Sequence, residues 1–198
     1  NYGIAMDFEL PKSLQEHLAA LPKNLSLHIG RVRGIAKELA QMHNLDVELA
    51  DLTAAAHDVA RHLPGGKLIE EAERLNIPVG EFEKAAPIVL HGPVGATWLR
   101  QEGVLLDPEL FDAVYWHTSA HPDLSPIGKV VFVADKIDPA KAKAYPFQSS
   151  VIEAVANSLD EGVLAFLDGV IREHVDHCRL VHPVSINTRN RLIIESSC

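Results

Sequence analysis

The chain has 198 residues, 47% of them apolar and 23% charged, with a mean hydropathy of +0.04. That is enough for one domain with a proper core, and it excludes a disordered or fibrous class. A net charge of −9 leaves no broad electrostatic footprint for nucleic acid, so any phosphate chemistry needs a local cationic device such as a metal.

The elements read as helix after helix. A short helix covers roughly Lys12 to Leu21. A longer one runs from Ser26 to His43, with Val32, Ile35, Ala36, Leu39 and Ala40 on one face. Asp46 is the expected N-cap of the next helix, Val47 to about Leu63, which stops at Pro64-Gly65-Gly66. Short helices are expected over Lys67 to Leu75 and from Pro93 to Glu102. Asp107-Pro108-Glu109 combines an N-cap, a proline at the first helical position and an acid in the first turn. That helix carries Leu110, Val114 and His117. Ser125-Pro126 repeats the device. The KVVFVA run that follows reads as a strand on propensity, but its all-helical surroundings favour a helix. Gln148 to His177 reads as two amphipathic helices, and the last twenty residues as irregular or short-helical. The expected architecture is a single all-α domain over residues 1–198, with a core at about 13–145 and C-terminal helices packed on it.

Cys178 and Cys198 make no CxxC motif and no disulfide framework, as expected of reduced thiols in a cytoplasmic protein. No apolar stretch reaches the roughly 18 residues a membrane span needs. The opening NYGIAMDF lacks the basic start and long apolar run of a signal peptide.

Charged residues stand where apolar faces should be. In LTAAAHDVA, His57 and Asp58 interrupt a core-type helix. A buried carboxylate needs compensation, from a salt bridge to a neighbouring helix or from a metal. Asp135 ends the apolar run VVFVADKI, where pairing with Lys136 or Lys129 is the plain alternative. A divalent cation would satisfy both acids at once. Of the 11 histidines, His28, His91 and His117 each lie on or at the end of a different helix. A bundle core can bring such positions together, and imidazole with carboxylate suits iron, manganese, zinc or cobalt. Four His and two Asp exceed one closed structural site and suit two metals with open positions.

The order H…HD…H…H…D resembles the HD-domain phosphohydrolases. The segments LSLHIGRVRGIAKELA, AAAHDVAR, VLHGPVGATWL, YWHTSAHPDLSPIGKVVFVADKIDP and HPVSINTRNRLI are similar to the YqeK branch, from about Ser13 to Leu192. The resemblance implies an HD-domain helical bundle with a metal site in its core. It also implies symmetrical hydrolysis of diadenosine tetraphosphate to two ADP, by water activated between two divalent ions. Carried over by motif, His28, His57, Asp58 and Asp135 would hold one metal. His91 and His117, with Asp58 bridging, would hold the second. Iron is the first expectation, and manganese or another transition metal the alternative. His57 and Asp58 with Arg61, four residues after His57, form the expected catalytic group. Arg61, Thr118, Ser119 and Lys141 are the expected substrate contacts, with a solvated charge for Arg61 and helix-end capping for Thr118 and Ser119 as alternatives.

Two departures bear on substrate. The branch commonly has an Arg shortly before the first His, where this chain has Asn24-Leu25-Ser26-Leu27. It has another after the DxIEP-like segment, where this chain has Asp138-Pro139-Ala140-Lys141, with Lys141 or Lys143 as substitutes. Action on another nucleotide, such as a nucleoside phosphate or cyclic dinucleotide, is therefore the second expectation. A non-catalytic nucleotide-binding domain is the third. His17, His43, His174 and His177 are expected at surface or helix-end positions, His62 and His121 outside the ligand set, and His182 in the tail. Trp98, Trp116, Tyr115 and Phe132 are read as core; an adenine needs such a surface, and the sequence does not single one out. Expected partners are a dinucleoside polyphosphate and a second copy in a homodimer, with neither nucleic acid nor membrane.

Overall fold

The computed structural model describes residues 9–196. The signal-peptide reading of NYGIAMDF falls on residues 1–8, which with Cys198 lie outside the described residues. Among the described residues there are eleven α-helices and no strand. They are α1 (Lys12–Ala19), α2 (Lys23–Met42), α3 (Val47–Ala56), α4 (Gly65–Arg74), α5 (Glu81–Ala85), α6 (His91–Gln101), α7 (Pro108–Tyr115), α8 (Pro126–Lys136), α9 (Gln148–Asn157), α10 (Leu159–Asp176) and α11 (Pro183–Ser196). Single 3₁₀ turns cover Pro87–Leu90 and Pro139–Lys141. No described helix is long and apolar enough to cross a membrane.

The expected start signals form as read. Asp46 accepts from the backbone N–H groups of Glu48 and Leu49, Asp107 from Glu109, and Ser125 from Gly128. Each satisfies amides that a helix start leaves without partners. The KVVFVA run is helical, because α8 is the central helix. Val130, Val131, Phe132, Val133 and Ala134 are all fully buried, so packing on several sides overrides β propensity.

The main core joins α2, α3, α7 and α8 to the C-terminal helices. Val32, Ala36, Ala54, Val114, Phe132, Val151, Phe166 and Leu192 belong to one buried cluster. Phe132 and Phe166 meet edge to face at 5.4 Å. A smaller cluster of Ala60, Leu68, Ala72, Ile77, Leu90 and Val94 fixes α4 beside α6.

Three expectations need correcting. The last twenty residues are not irregular: α11 is a 14-residue helix, held because Ser185, Thr188 and Leu192 are buried along one side. The helix begun at Val47 ends at Ala56 rather than near Leu63. Beyond it, Val59 N–H bonds Ala56 O and Arg61 N–H bonds Asp58 O, so the chain closes into successive i→i+3 turns. Of the aromatics read as core, only Phe132 is fully buried, whereas Trp98, Tyr115 and Trp116 are half-buried.

Candidate metal centre and adjoining cleft

His28 sits on α2, and His57-Asp58 at the C-terminal end of α3. His91 opens α6, His117 lies just past α7, and Asp135 is in the last turn of α8. The structure brings these six residues together. His28–His57–Asp58, His57–His117–Asp135 and Asp58–His91–His117 each offer ligand atoms within 4.8 Å of one another. All six are buried.

The orientation of the rings carries more than their proximity. Nδ1 of His57, His91 and His117 lies 2.7, 2.5 and 2.7 Å from the carbonyl oxygens of Ala54, Ile88 and Val114. A carbonyl only accepts, so in each ring Nδ1 carries the proton and donates. His28 Nδ1 donates likewise to Asp138 Oδ2 at 2.6 Å. All four Nε2 atoms therefore face inward.

Asp58 lies between them. Its Oδ2 is 3.5 Å from His28 Nε2 and 3.4 Å from His57 Nε2. Its Oδ1 is 2.9 Å from His91 Nε2 and 3.5 Å from His117 Nε2. Asp135 Oδ1 is 3.0 Å from His28 Nε2 and 3.7 Å from His57 Nε2. The two inner nitrogens of His91 and His117 are only 2.9 Å apart, with both Nδ1 protons committed elsewhere. Lone pairs aimed at one another in a buried space call for cations, and the N/O donor set fits divalent transition metals.

The acid–base properties express the same demand. Burial alone would lower the His57 pKa, but Asp58 and Asp135 raise it to about 10. Burial would raise Asp58, but His57, His117 and His91 hold it well below the usual carboxylate range. His117, fully buried and beside other imidazoles, is pushed down to about 3.

Several residues that bear on the site were not singled out from sequence. Asp138 is fully buried, orients His28, and is itself gripped by Arg31 through Nε at 2.7 Å and a second guanidinium nitrogen at 2.9 Å. A histidine three residues before an arginine on α2 was the available signal, but its meaning depends on Asp138, 110 positions from His28. Lys136 is buried and donates to Asp135 Oδ2 at 2.5 Å and to the His117 carbonyl at 3.0 Å. Pairing with Lys136 thus coexists with a place for Asp135 in the ligand cluster. Lys129 instead pairs with Asp160.

A cleft of about 300 Å³ opens above Asp58, His91, His117 and Asp135. Arg61, Thr118, Ser119 and Lys141 all line it. Arg61 reaches it from the turns after Ala56, not from a shared helical face with His57. Lys141 also bonds Asp135, whereas Lys143 is exposed and away from the cleft. Ser119 Oγ is turned to the Ala120 carbonyl. Tyr145, Phe166, Val170 and Ile171 make an apolar wall. His174 and His182 also line the cleft, so His182 is part of it and not merely of a tail. His62 is exposed, and His121 packs on Trp116 outside this cleft.

The HD domain family model matches residues 26–140, more than half of the chain and the whole span from His28 to Asp135. The chain belongs to the HD domain family. Among curated relatives, the symmetrical bis(5'-nucleosyl)-tetraphosphatase of Bacillus subtilis is 27% identical, over 90% of this chain and 97% of that protein. The enzyme of the same name from Halalkalibacterium halodurans is 25% identical, over 93% and 97%. A crystal structure from Clostridium acetobutylicum, described as a "predicted HD superfamily hydrolase involved in NAD metabolism", superposes with a TM-score of 0.85. It is 26% identical and covers 92% of this chain and 96% of its own.

Proposed function

We propose that the protein hydrolyses dinucleoside tetraphosphates symmetrically, diadenosine tetraphosphate giving two ADP, at a dinuclear centre bridged by Asp58. The observation that carries the reading is the division of Asp58: one oxygen faces His28 and His57, the other His91 and His117. A single carboxylate between two histidine pairs suits a bridging role. Asp135 completes the first set. The tetraphosphatase relatives, which align along nearly their whole length, support the substrate class.

Two divalent ions held there, iron or manganese as the family resemblance implies, would supply an activated water and charge to offset the phosphate oxygens. The chain's own residues do the rest. The four Nδ1–H bonds hold the imidazoles in one tautomer. Arg61 and Thr118 line the cleft, and among the described residues their side chains make no hydrogen bond or ion pair, which suits them to grip phosphate oxygens. Lys141 adds a cation beside Asp135. The wall of Tyr145, Phe166 and Val170 excludes water from one nucleoside. As the water oxygen bonds to phosphorus and gives up a proton to solvent, the bond to the opposite bridging oxygen breaks; one ADP leaves on that oxygen and the half that took the water oxygen is the second ADP.

One observation favours a second reading, a nucleotide with fewer phosphates. Lys136 and Lys141 are both engaged with Asp135, which leaves Arg61 as the free cation among the residues lining the cleft. A substrate panel on metal-loaded protein separates the two. ADP release from diadenosine tetraphosphate supports the first; turnover of only monophosphates or cyclic dinucleotides supports the second. Asp58→Ala is expected to lose metal and activity together, and full activity in that variant would overturn both.

A further inference from the structure

Symmetrical cleavage poses a geometric requirement. The scissile bond lies in the middle of the tetraphosphate, so one nucleoside must lie on each side of the centre. The cleft of about 300 Å³ is at the lower end of small-ligand pockets, which run from about 300 to 1,000 Å³, so it suits one arm better than two.

A second cleft of about 270 Å³ adjoins it. The two share Val89, Thr118, Ser119 and His182 as a common wall. Its floor includes Leu90 and Trp116, the residues directly before His91 and His117. It therefore begins one residue from two of the candidate ligands. Pro78, Tyr115 and Trp116 give its lining flat and apolar surface. Tyr115 and Trp116 are half-buried; Trp116 packs against His121 at 4.8 Å and Tyr115 at 4.7 Å, and both residues still line this cleft.

The partition joins α5 to the residue before α11. Phe82 turns into the first cleft and Glu83, its neighbour, into the second. The His182 ring packs edge-on against Phe82 at 4.6 Å. Glu83 Oε2 accepts from Gly80 N–H, while Oε1 pairs with His182 Nε2 at 3.6 Å. A carboxylate oxygen has room for a second donor, such as an exocyclic amine. The Thr118 hydroxyl, on the shared wall, is placed where a polyphosphate would cross.

We propose that this second cleft binds the other nucleoside arm of the dinucleoside polyphosphate, a base with an exocyclic amine lying on Trp116 with its amine on Glu83. The assignment rests on the function proposed above. Base–aromatic stacking sets the expected size of the effect, about tenfold in binding for one base.

The chain has two tryptophans, so Trp98→Phe leaves Trp116 as the sole reporter. In that background diadenosine tetraphosphate is expected to quench Trp116 emission and to bind about tenfold more tightly than adenosine 5'-tetraphosphate, which has one base. Trp116→Leu should remove that advantage, raising KM for the two-base compound about tenfold while kcat stays within about threefold. Glu83→Gln, the test that stands if Trp116→Leu misfolds, should weaken the preference for adenine over uracil ends. An unchanged KM in Trp116→Leu, an equal rise for one-base and two-base compounds, or an unaltered base preference in Glu83→Gln would overturn the assignment while leaving the tetraphosphatase reading intact. If the wild-type chain does not turn over the two-base compound at all, both fall.

Discussion

Asp138→Asn tests whether the centre depends on the carboxylate behind His28. Asp138 is fully buried and collects four donors: His28 Nδ1 at 2.6 Å, two Arg31 nitrogens at 2.7 and 2.9 Å, and Ala140 N–H at 3.1 Å. Asparagine retains one acceptor oxygen, and in either orientation its NH₂ group faces an Arg31 donor together with His28 Nδ1 or Ala140 N–H. A donor then faces a donor, which costs about 1–3 kcal/mol where water is excluded. His28 loses its fixed tautomer, and its Nε2 is no longer held toward Asp58 and Asp135. Loss of a partner of this kind weakens metal binding by about 10–100-fold. That corresponds to roughly 1.4–2.8 kcal/mol. Titration calorimetry of the metal-free protein with manganese measures the affinity directly, with thermal unfolding of the same samples as the control. Affinity within about twofold of wild type, with an unchanged melting temperature, would refute the reasoning. A lower melting temperature at unchanged affinity would reduce Asp138 to a structural anchor of α2.

Three further outcomes follow from the packing. A Cβ on Gly92 would lie 2.8 Å from Tyr115 O, 3.0 Å from Val114 O and 3.1 Å from His117 Nδ1. Gly92→Ala should therefore cost about 1–3 kcal/mol in urea unfolding and weaken metal binding as well, since Val114 O is the acceptor that fixes His117. Phe132→Ala empties the centre of α8 and should cost about 3–5 kcal/mol with the m-value unchanged. Burial lowers the His182 pKa below 6.5 against the pull of Glu83. The unfolded chain then takes up this proton first as pH falls, so the His182 contribution to stability is present above about pH 6.5 and lost below it. His182→Asn should flatten that part of the slope between about pH 7 and pH 5, and an unchanged slope in urea unfolding would contradict it.

Helix starts were legible because they are local. Asp46, Asp107 and Ser125 cap amides two or three residues away, and the spacing of polar and apolar residues suffices to place them. The candidate ligands were legible for another reason: acids and imidazoles inside apolar runs need compensation, and their order along the chain carries the family resemblance. The end of α3 was not legible, since LTAAAHDVA continues a helical pattern through the point where the backbone tightens. Nor was α11, whose weak periodicity becomes a helix only because Ser119 and the C-terminal side of the core lie against it.

By itself, then, the sequence pointed to an all-helical domain and to six His and Asp side chains whose burial a cation would compensate. Tertiary structure alone decided how those side chains divide around His57-Asp58. Asp58 turns its two oxygens to different histidine pairs because α2, α6 and the end of α7 converge on it from residues 30 before to 59 after. The partners of His28, the wall that His182 makes between two clefts, and the reach of Arg61 were decided the same way. A side chain's chemistry is written at one position, but the atoms it meets are set by how distant helices bury their apolar faces together.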